Sequence, residues 1–367
     1  MLLVPQQAMR RCFLSLRRNW SASARSQAAV LGLLRETYNV WERRTPLCPK
    51  HVETLLNRPG SPVKEILVQP SSTRVFSDVE YERAGATLQD DLSPADLILG
   101  VKRPLTTDYL YPNKAYMFFS HVIKGQPENM PLLQYILDHK IQLFDYECIV
   151  DGGMQKTENS KEVKQKRLVA FGKFAGRAGM TDAFNPLGKR LLALGFSTPF
   201  LHCPPAHMHS DWDAVQQSVK HVGKLIATDG LPMEPLVFCF TGKGGNVNAG
   251  AMEVFSLLPH EMISVEDLPS IRNRPGPQKC VYGLSLAAKD LVRRKGGLPF
   301  DREHYQQNPQ EYEPIFHQEI APYVSVIVNC MYWDERFPRL LTKNQMQKLY
   351  TDGHKEYVLA VASFLAK

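Results

Sequence analysis

The feature that most constrains the fold of this chain is a run of glycines near its middle, in the segment LVFCFTGKGGNVNAGAMEVFSLLP at residues 236–259. An apolar stretch ends at Phe240, the glycines follow, and residues 251–258 have the composition of a helix. Glycine permits a tight turn and a close approach of the backbone, and a helix N-terminus presents unpaired N–H groups. The segment therefore predicts a strand, a phosphate-binding turn and a helix.

The late position of the glycines in a chain of 367 residues leaves room for a whole domain in front of them. Strands predicted at residues 30–34, 65–69, 96–101, 115–120 and 141–144 alternate with helices predicted at residues 46–57, 78–84, 130–139, 171–194 and 211–227. Alternation of this kind favours a mostly parallel sheet covered by helices. We expect an α/β fold with two Rossmann-like domains, parallel sheets and an interdomain cleft.

The predicted organisation has four parts: a leader at residues 1–26, a front domain at 27–229, a dinucleotide-binding domain at 230–345 and a tail at 346–367. Gly230, Leu231 and Pro232 interrupt the helical pattern just before the nucleotide-binding strand, which sets the internal boundary. Small residues at 172, 175, 176 and 179 predict close packing of the helix that contains them. The tail is predicted to form a helix or a strand, followed by a short end.

The leader differs in composition from the rest of the chain. It contains five arginines and several serines, and the first acidic residue of the chain is Glu36. This composition is typical of a mitochondrial transit peptide, with a basic tail that has no targeting role as the alternative.

Charge and cysteine content exclude several classes of protein. Removing the leader's five arginines from the 44 basic residues leaves 39, against 37 acidic residues, so no nucleic-acid partner is predicted. The sequence has no apolar run long enough to predict a membrane span. Its seven cysteines are scattered without a C-x-x-C pair, and the cluster of His202, Cys203, His207 and His209 is interpreted as a loop, so no metal site is predicted.

The strand after the glycines bears on the choice of cofactor. An acidic residue at the tip of this strand usually accepts from the ribose of NAD, whereas here Ser264 follows residues 262–263. Arg272 and Arg274 lie a few residues further on, which favours the 2′-phosphate of NADP. The alternative is that Glu266 binds the ribose of NAD.

Reactive side chains follow two strands of the front domain. Lys102 comes directly after one apolar strand, and His121 follows another, with Lys124 a few residues beyond. Ligands of open parallel sheets bind at the carboxyl ends of the strands. These residues are therefore candidates for a site, the alternative being a solvated lysine and a hydrogen-bonded structural histidine.

Charged residues at two further positions could bind a substrate. Arg43 and Arg44 lie between the first strand and a helix, where an arginine could hold a carboxylate with two hydrogen bonds or simply face solvent. Asp145 and Glu147 end another strand, where a carboxylate could bind a substrate ammonium.

Six blocks occur in one order along the chain: WERRTPL, LGVKRP, FFSHVIKGQ, FDYE, VAFGKFAGRAGM and FTGKGGNVNAGA. Together they resemble the lysine–2-oxoglutarate reductase half of alpha-aminoadipic semialdehyde synthase, over about residues 27–345. More distantly, the front half resembles the N-terminal domain of alanine dehydrogenases and nicotinamide nucleotide transhydrogenases.

This resemblance implies an oxidoreductase of lysine catabolism in the mitochondrial matrix. Such an enzyme condenses L-lysine with 2-oxoglutarate and reduces the imine to saccharopine with NADPH, in preference to NADH. It implies small-molecule partners only, with no nucleic acid and no membrane, and leaves self-association into a homo-oligomer open.

The resemblance also implies roles for individual residues. Lys102 and His121 would form the acid–base pair. Substrate carboxylates would be bound by Arg44, Lys124 and Arg167, and the lysine ammonium by Glu147. The cofactor would be bound by Gly242, Gly244, Gly245, Asn246, Val247, Gly250, Ser264 and Arg272.

The chain departs from the family pattern at two places. The segment GKGGNVNAG is one residue longer than the family's G-x-G-N-V-S-x-G and carries Asn248 in place of its serine, so we expect the loop to bulge. After PRLLT the sequence also lacks the family's D-[IV]-S-A-D segment, which completes the front domain. Two alternatives follow: a truncated non-catalytic form, or an alanine-dehydrogenase-like enzyme acting on another amino acid.

Overall fold

The computed structural model describes residues 28–151, 167–351 and 360–363, so the predicted leader lies outside the described part of the chain. The chain divides into two compact units, Met1–Ala170 and Phe171–Lys367. Among the described residues, no helix is both long and apolar enough to cross a membrane.

The first unit is built on a six-stranded, fully parallel sheet. Its strands are β1 (Ala29–Leu33), β2 (Val63–Val68), β3 (Thr87–Leu88), β4 (Leu97–Lys102), β5 (Ala115–Phe119) and β6 (Gln142–Asp145). Their order across the sheet is β3-β2-β1-β4-β5-β6. This is the strand order of a Rossmann fold, in which the chain winds outward first on one side of β1 and then on the other.

The helices of the first unit are α1 (Pro49–Asn57), α2 (Asp78–Arg83) and α3 (Met130–Asp138). Local signals explain where they begin. Proline occupies the first turn of α1 and α3, where its missing N–H has no helical partner to lose. Ser77 caps α2 by accepting from the N–H of Glu80, whose carboxylate accepts from the N–H of Ser77 in return.

The second unit contains a five-stranded parallel sheet and a short antiparallel pair. Its strands are β7 (Val237–Thr241), β8 (His260–Ile263), β9 (Val281–Leu286), β10 (Val292–Arg294), β11 (Tyr312–Pro314), β12 (Val326–Asn329) and β13 (Ala360–Ser363). The parallel sheet has the order β13-β12-β7-β9-β8. The strand that follows the glycines, β8, is therefore at the sheet's edge, and β9 is the neighbour of β7.

The helices of the second unit lie on both faces of its parallel sheet. They are α4 (Gly172–Ala193), α5 (Trp212–Asp229), α6 (Asn246–Phe255), α7 (Leu268–Arg272), α8 (Arg302–Gln307), α9 (Phe316–Glu319) and α10 (Lys343–Thr351). Phe238 and Phe240 of β7 are buried on the face shared with α4, α5 and α6, and Val237 and Cys239 on the face shared with α7 and α9. Both faces of the sheet are apolar because both are covered.

The strands and helices predicted ahead of the glycines are present within a few residues of their predicted ends. The division between the units differs from the predicted boundary at 229/230, because α4 and α5 belong to the second unit. Helix α4 belongs to the second unit because a glycine lets it pack closely on α6. A Cβ on Gly250 of α6 would lie 1.9 Å from the carbonyl oxygen of Lys173 in α4. Helices that approach this closely form one core, and α5 adds Val219 and Ile226 to it.

Two other elements differ from expectation. Helix α6 begins at Asn246, so Gly250 lies inside the helix and not in the turn before it. The tail contributes α10 and then β13, which pairs in parallel with β12 and extends the sheet.

Candidate active site

The carboxyl ends of β1 and β4 meet where the strand order of the first unit reverses, which is the usual ligand-binding position in such a sheet. Lys102 ends β4, and Glu36 lies just beyond β1. Oε1 of Glu36 accepts from the N–H of Val101 at 2.6 Å, and Oε2 accepts from the N–H of Lys102 at 3.0 Å. A carboxyl group thus joins the two strand ends at this position.

The Lys102 ammonium lies half-buried among charged side chains. Burial lowers the pKa of Lys102, and the nearby charges of Arg44 and Lys124 lower it further, while those of Glu42 and Glu36 oppose the shift. A lysine with a lowered pKa exchanges protons more readily near neutrality. The structure therefore gives Lys102 an environment suited to proton transfer.

His121 follows β5 with φ = 60°, in the left-handed region that side chains other than glycine seldom adopt. Its Nδ1 lies 2.8 Å from Oε2 of Glu147 and 3.1 Å from Nζ of Lys124. An ammonium can only donate, and a carboxylate can only accept, so these two contacts belong to different tautomers. We assign the proton of Nδ1 to the shorter contact, with Glu147. Nε2 has no hydrogen-bond partner among the described residues and is then free to accept a proton.

Glu147, in the short helical turn after β6, contacts His121 and two cationic side chains. Besides His121, its Oε1 lies 3.3 Å from Nζ of Lys124 and 3.1 Å from Nη2 of Arg167. Burial by itself raises the pKa of Glu147, but the hydrogen bond from His121 and the positive charges of Lys124 and Arg167 outweigh burial and leave it lowered. Glu147 therefore remains ionised and already pairs with Lys124 and Arg167, which the family resemblance assigned to substrate carboxylates.

Arg44 is also paired within the chain. Its Nε and Nη2 donate to the two carboxylate oxygens of Glu42, at 2.7 and 2.5 Å. The Glu42 side chain is only 6% exposed, so the carboxylate that accepts these two parallel hydrogen bonds is buried. Among the described residues Nη1 of Arg44 has no acceptor, which leaves it available to a substrate carboxylate.

Glu36 and Glu42 were missed by the sequence reasoning. The signal for Glu36 was present, because it follows a strand just as Lys102 and His121 do. Burial raises the pKa of Glu36 from 4.5 to about 7, against the effect of the backbone N–H donors of Val101 and Lys102. A carboxyl group that titrates near neutrality beside a lysine of lowered pKa is suited to proton exchange.

The raised pKa of Glu36 predicts a pH dependence of stability. Because the folded-state pKa, about 7, exceeds the ordinary value of 4.5, the folded protein binds this proton more tightly. The contribution is complete below pH 4.5 and is lost as the pH rises through about 7. Glu36→Gln, an uncharged isostere, should lack this pH-dependent contribution. The wild type's free energy of unfolding should therefore fall relative to the variant's as the pH rises from 4.5 to about 7.

Denaturant unfolding at a series of pH values between 4.5 and about 7 measures this difference. Glu53→Gln, which changes an exposed carboxylate on α1, is the control and should run parallel to the wild type. If the difference in free energy of unfolding between wild type and Glu36→Gln stayed constant over this pH range, the raised pKa of Glu36 would be wrong.

The glycine turn of the second unit lies at the carboxyl end of β7. The N–H of Gly245 donates to the carbonyl of Gly242 at 3.0 Å, and Gly244 has φ = 85° while Lys243 is not in the left-handed region. These are the features of a type II turn, which needs glycine at its third position. The extra residue of the segment is therefore taken up in a regular turn, and the N–H of Lys243 joins it to β9 through the carbonyl of Leu286 at 2.9 Å.

Three of the other residues that the resemblance assigned to the cofactor, Asn246, Val247 and Gly250, belong to α6. Asn246 and Val247 form the first turn of α6, where N–H groups are available to a phosphate. Gly250 is buried against α4 and packs helices together. Buried Asn248, which replaces the family's serine, donates to the carbonyl of Thr241 at 3.5 Å.

Ser264 and Arg272 are not brought to the glycine turn. Ser264 follows the edge strand β8, with β9 between it and β7, which separates it from β7 by roughly 10 Å. Its N–H and hydroxyl donate to Asp267. Arg272 pairs at 2.5 Å with Glu234, which precedes β7 and so lies at the opposite, amino edge of the sheet. The strand order, which the sequence does not give, corrects both assignments.

A cavity of about 910 Å³ in the second unit opens on the glycine turn and on the ends of β9 and β12. Its basic lining residues are Lys243, Lys289, Arg302 and Arg339, and none of the described residues that line it is acidic. The volume is in the range of nucleotide and cofactor sites. Because phosphates are anions, the charge of the lining and the N-terminus of α6 both fit a dinucleotide.

Strand order, glycine turn and cavity together define a Rossmann-type α/β chain with a nucleotide-binding unit. Residues 32–180 match the family described as alanine dehydrogenase/PNT, N-terminal domain. Alpha-aminoadipic semialdehyde synthase from Arabidopsis thaliana is 45% identical over 340 residues, which cover 88% of this chain and 31% of that protein. The mitochondrial alpha-aminoadipic semialdehyde synthase of Bos taurus is 42% identical over 328 residues, 89% of this chain and 33% of that protein.

A solved L-alanine dehydrogenase is 16% identical, with 87% of this chain and 71% of that chain covered and a TM-score of 0.48. The chain spans about a third of the length of the curated relatives it matches. The chain is thus similar to the alpha-aminoadipic semialdehyde synthases over most of its length and to the alanine dehydrogenase/PNT N-terminal domain over residues 32–180, which confirms the resemblance seen in the six sequence blocks.

Proposed function

We propose that this chain is a reductase of lysine catabolism that condenses L-lysine with 2-oxoglutarate and reduces the imine to saccharopine with NADPH. The observation that carries the proposal is the set of proton-exchanging groups at one sheet edge, Lys102, Glu36 and the His121–Glu147 pair. These occur in a chain 45% identical to an alpha-aminoadipic semialdehyde synthase over 88% of its length.

Imine formation requires several proton transfers. The amine must lose a proton to become nucleophilic, and the carbinolamine must gain one to release water. Lys102 has a lowered pKa, and Nε2 of His121 can take a proton while Glu147 holds the proton on Nδ1. Glu147 also stabilises the imidazolium that results, because its own pKa is lowered and it stays ionised. Lys102 and His121 are thus the proposed acid–base pair.

The substrates carry carboxylates that need cations. Arg44 keeps Nη1 for one of them while Glu42 fixes its orientation through Nε and Nη2. Lys124 and Arg167 could bind other substrate carboxylates only if their ion pairs with Glu147 were replaced by ion pairs with the substrate. In the same exchange, Glu147 would become available to the ammonium of lysine.

NADPH, when bound, supplies the hydride that reduces the imine carbon. The residues that would hold it are Gly242, Gly244 and Gly245 of the turn and Asn246 and Val247 of α6. A Cβ on Gly242 would come within 2.8 Å of the carbonyl oxygen of Cys330, so a larger residue would distort the turn. For localisation, the name of the bovine relative describes it as mitochondrial, and with the basic leader this supports the mitochondrial matrix.

The test is NADPH oxidation by the purified full chain, followed by absorbance, with L-lysine and 2-oxoglutarate supplied together and each omitted in turn. We expect oxidation only when both are present. The match of residues 32–180 to an alanine dehydrogenase domain supports a second candidate, so alanine and pyruvate form a further arm. Turnover with that pair alone would replace the proposal, and a folded protein that binds NADPH without turnover would favour the non-catalytic alternative.

A further inference from the structure

We propose that Lys289, together with Arg302, binds the 2′-phosphate of NADPH and so determines the preference for NADPH over NADH. This inference rests on the proposed use of a dinucleotide. It replaces the assignment of that phosphate to Ser264 and Arg272, which the strand order places elsewhere.

The topology of the second sheet locates the adenosine end of the cofactor. In a Rossmann unit the pyrophosphate lies over the turn after the first strand, and the adenosine ribose lies at the end of an adjacent strand. Here the first strand is β7, and its neighbours are β9 and β12. The strand order reverses between β7 and β12, so the opposite side, at the end of β9, is the position of the adenosine ribose.

The residues after β9 have the chemistry of a phosphate site. Lys289 lies in the turn Ala288–Asp290 directly beyond this strand, is exposed, and lines the cavity. Asp290, the acidic residue nearest this strand end, accepts from the N–H of Ala287 at 2.9 Å and is not among the lining residues. The Asp290 carboxylate could have bound the ribose hydroxyls of NAD, but it accepts the hydrogen bond that closes the turn. Lys289 lines the cavity in its place.

The other basic residues of the cavity are placed for different tasks. Lys243 belongs to the glycine turn itself, where the pyrophosphate would lie. Arg339 stacks over the ring of Trp333, with its guanidinium carbon 4.2 Å from the ring centroid. Arg302 begins α8 and lines the same cavity as Lys289. Among the described residues, neither Lys289 nor Arg302 has a carboxylate partner, so both remain available to a phosphate.

Binding of adenosine 2′,5′-bisphosphate and of adenosine 5′-monophosphate tests the proposal without turnover. Isothermal titration of the full chain compares wild type with Lys289→Gln, Arg302→Gln, Arg272→Gln and Lys279→Gln. Lys279 is the matched control, an exposed lysine at the amino end of the same strand β9. We expect Lys289→Gln to weaken binding of the bisphosphate by about tenfold or more, the usual scale for a charged hydrogen bond. Binding of the monophosphate should stay unchanged.

Arg302→Gln should act in the same direction, and Arg272→Gln and Lys279→Gln should bind both nucleotides like the wild type. The preference for the bisphosphate should also weaken with added salt, because both cations are exposed. Loss of the preference in Arg272→Gln but not in Lys289→Gln would overturn the proposal, as would equal affinity of the wild type for the two nucleotides. Selective binding without lysine-dependent turnover would refute the proposed reaction while leaving this phosphate site established.

Discussion

Replacing Lys102 with methionine is expected to lower turnover with L-lysine and 2-oxoglutarate by about 10²-fold or more, the scale on which a general acid–base group contributes. Methionine keeps much of the aliphatic bulk but cannot exchange a proton. Burial and the charges of Arg44 and Lys124 lower the pKa of Lys102, so this side chain gives up its proton more readily than an exposed lysine does. The measurement is kcat from NADPH oxidation at saturating substrates.

Two comparisons separate this effect from damage to the fold. Lys64→Met changes an exposed lysine near the amino end of β2, at the opposite edge of the same sheet, and should leave kcat unchanged. Binding of NADPH should persist in Lys102→Met, because the glycine turn belongs to the second unit. If Lys102→Met and His121→Gln both turned over like the wild type, the acid–base assignment would be wrong.

Replacing Gly250 with alanine is expected to destabilise the second unit by about 3 kcal/mol, the upper end of what overpacking a core typically costs. The added Cβ would lie 1.9 Å from the carbonyl oxygen of Lys173 and 3.1 Å from the amide nitrogen of Arg177. Both are backbone atoms of α4 and cannot rotate away as a side chain could. Helices α4 and α6 would have to separate, which opens the packed interior between them.

The same interface carries polar contacts that the separation would disturb. Glu253 of α6 is paired with Lys173 and with Arg177, whose Nε lies 2.6 Å from Oε2. The midpoint of denaturant unfolding measures the loss of stability. Ala249→Ser, at the exposed preceding position of α6, is the matched control and should change the midpoint little. A midpoint for Gly250→Ala within experimental error of the wild type would show that α4 and α6 do not pack through this glycine.

Local patterns in the sequence were sufficient to find the strands and most of the chemistry at their ends. Lys102, His121 and Glu147 follow apolar runs, and in a parallel sheet the ends of such runs lie at one edge. The glycine turn was visible for the same reason, because a strand, a turn and a helix are adjacent in the chain. The small residues of α4 likewise predicted a close helix contact, which the structure identifies as the contact with α6.

The sequence by itself determined the elements, the α/β class and the residues that follow each strand, because these depend on composition and periodicity over a few neighbouring positions. Only the tertiary structure decided that β9 lies between β7 and β8, that α4 and α5 join the second unit, and that Glu36 and Glu42 face Lys102 and Arg44. Strand order and burial arise from contacts between residues far apart in the chain. The partner of a charge, and hence its pKa, is fixed by those contacts and not by the residues beside it in the sequence.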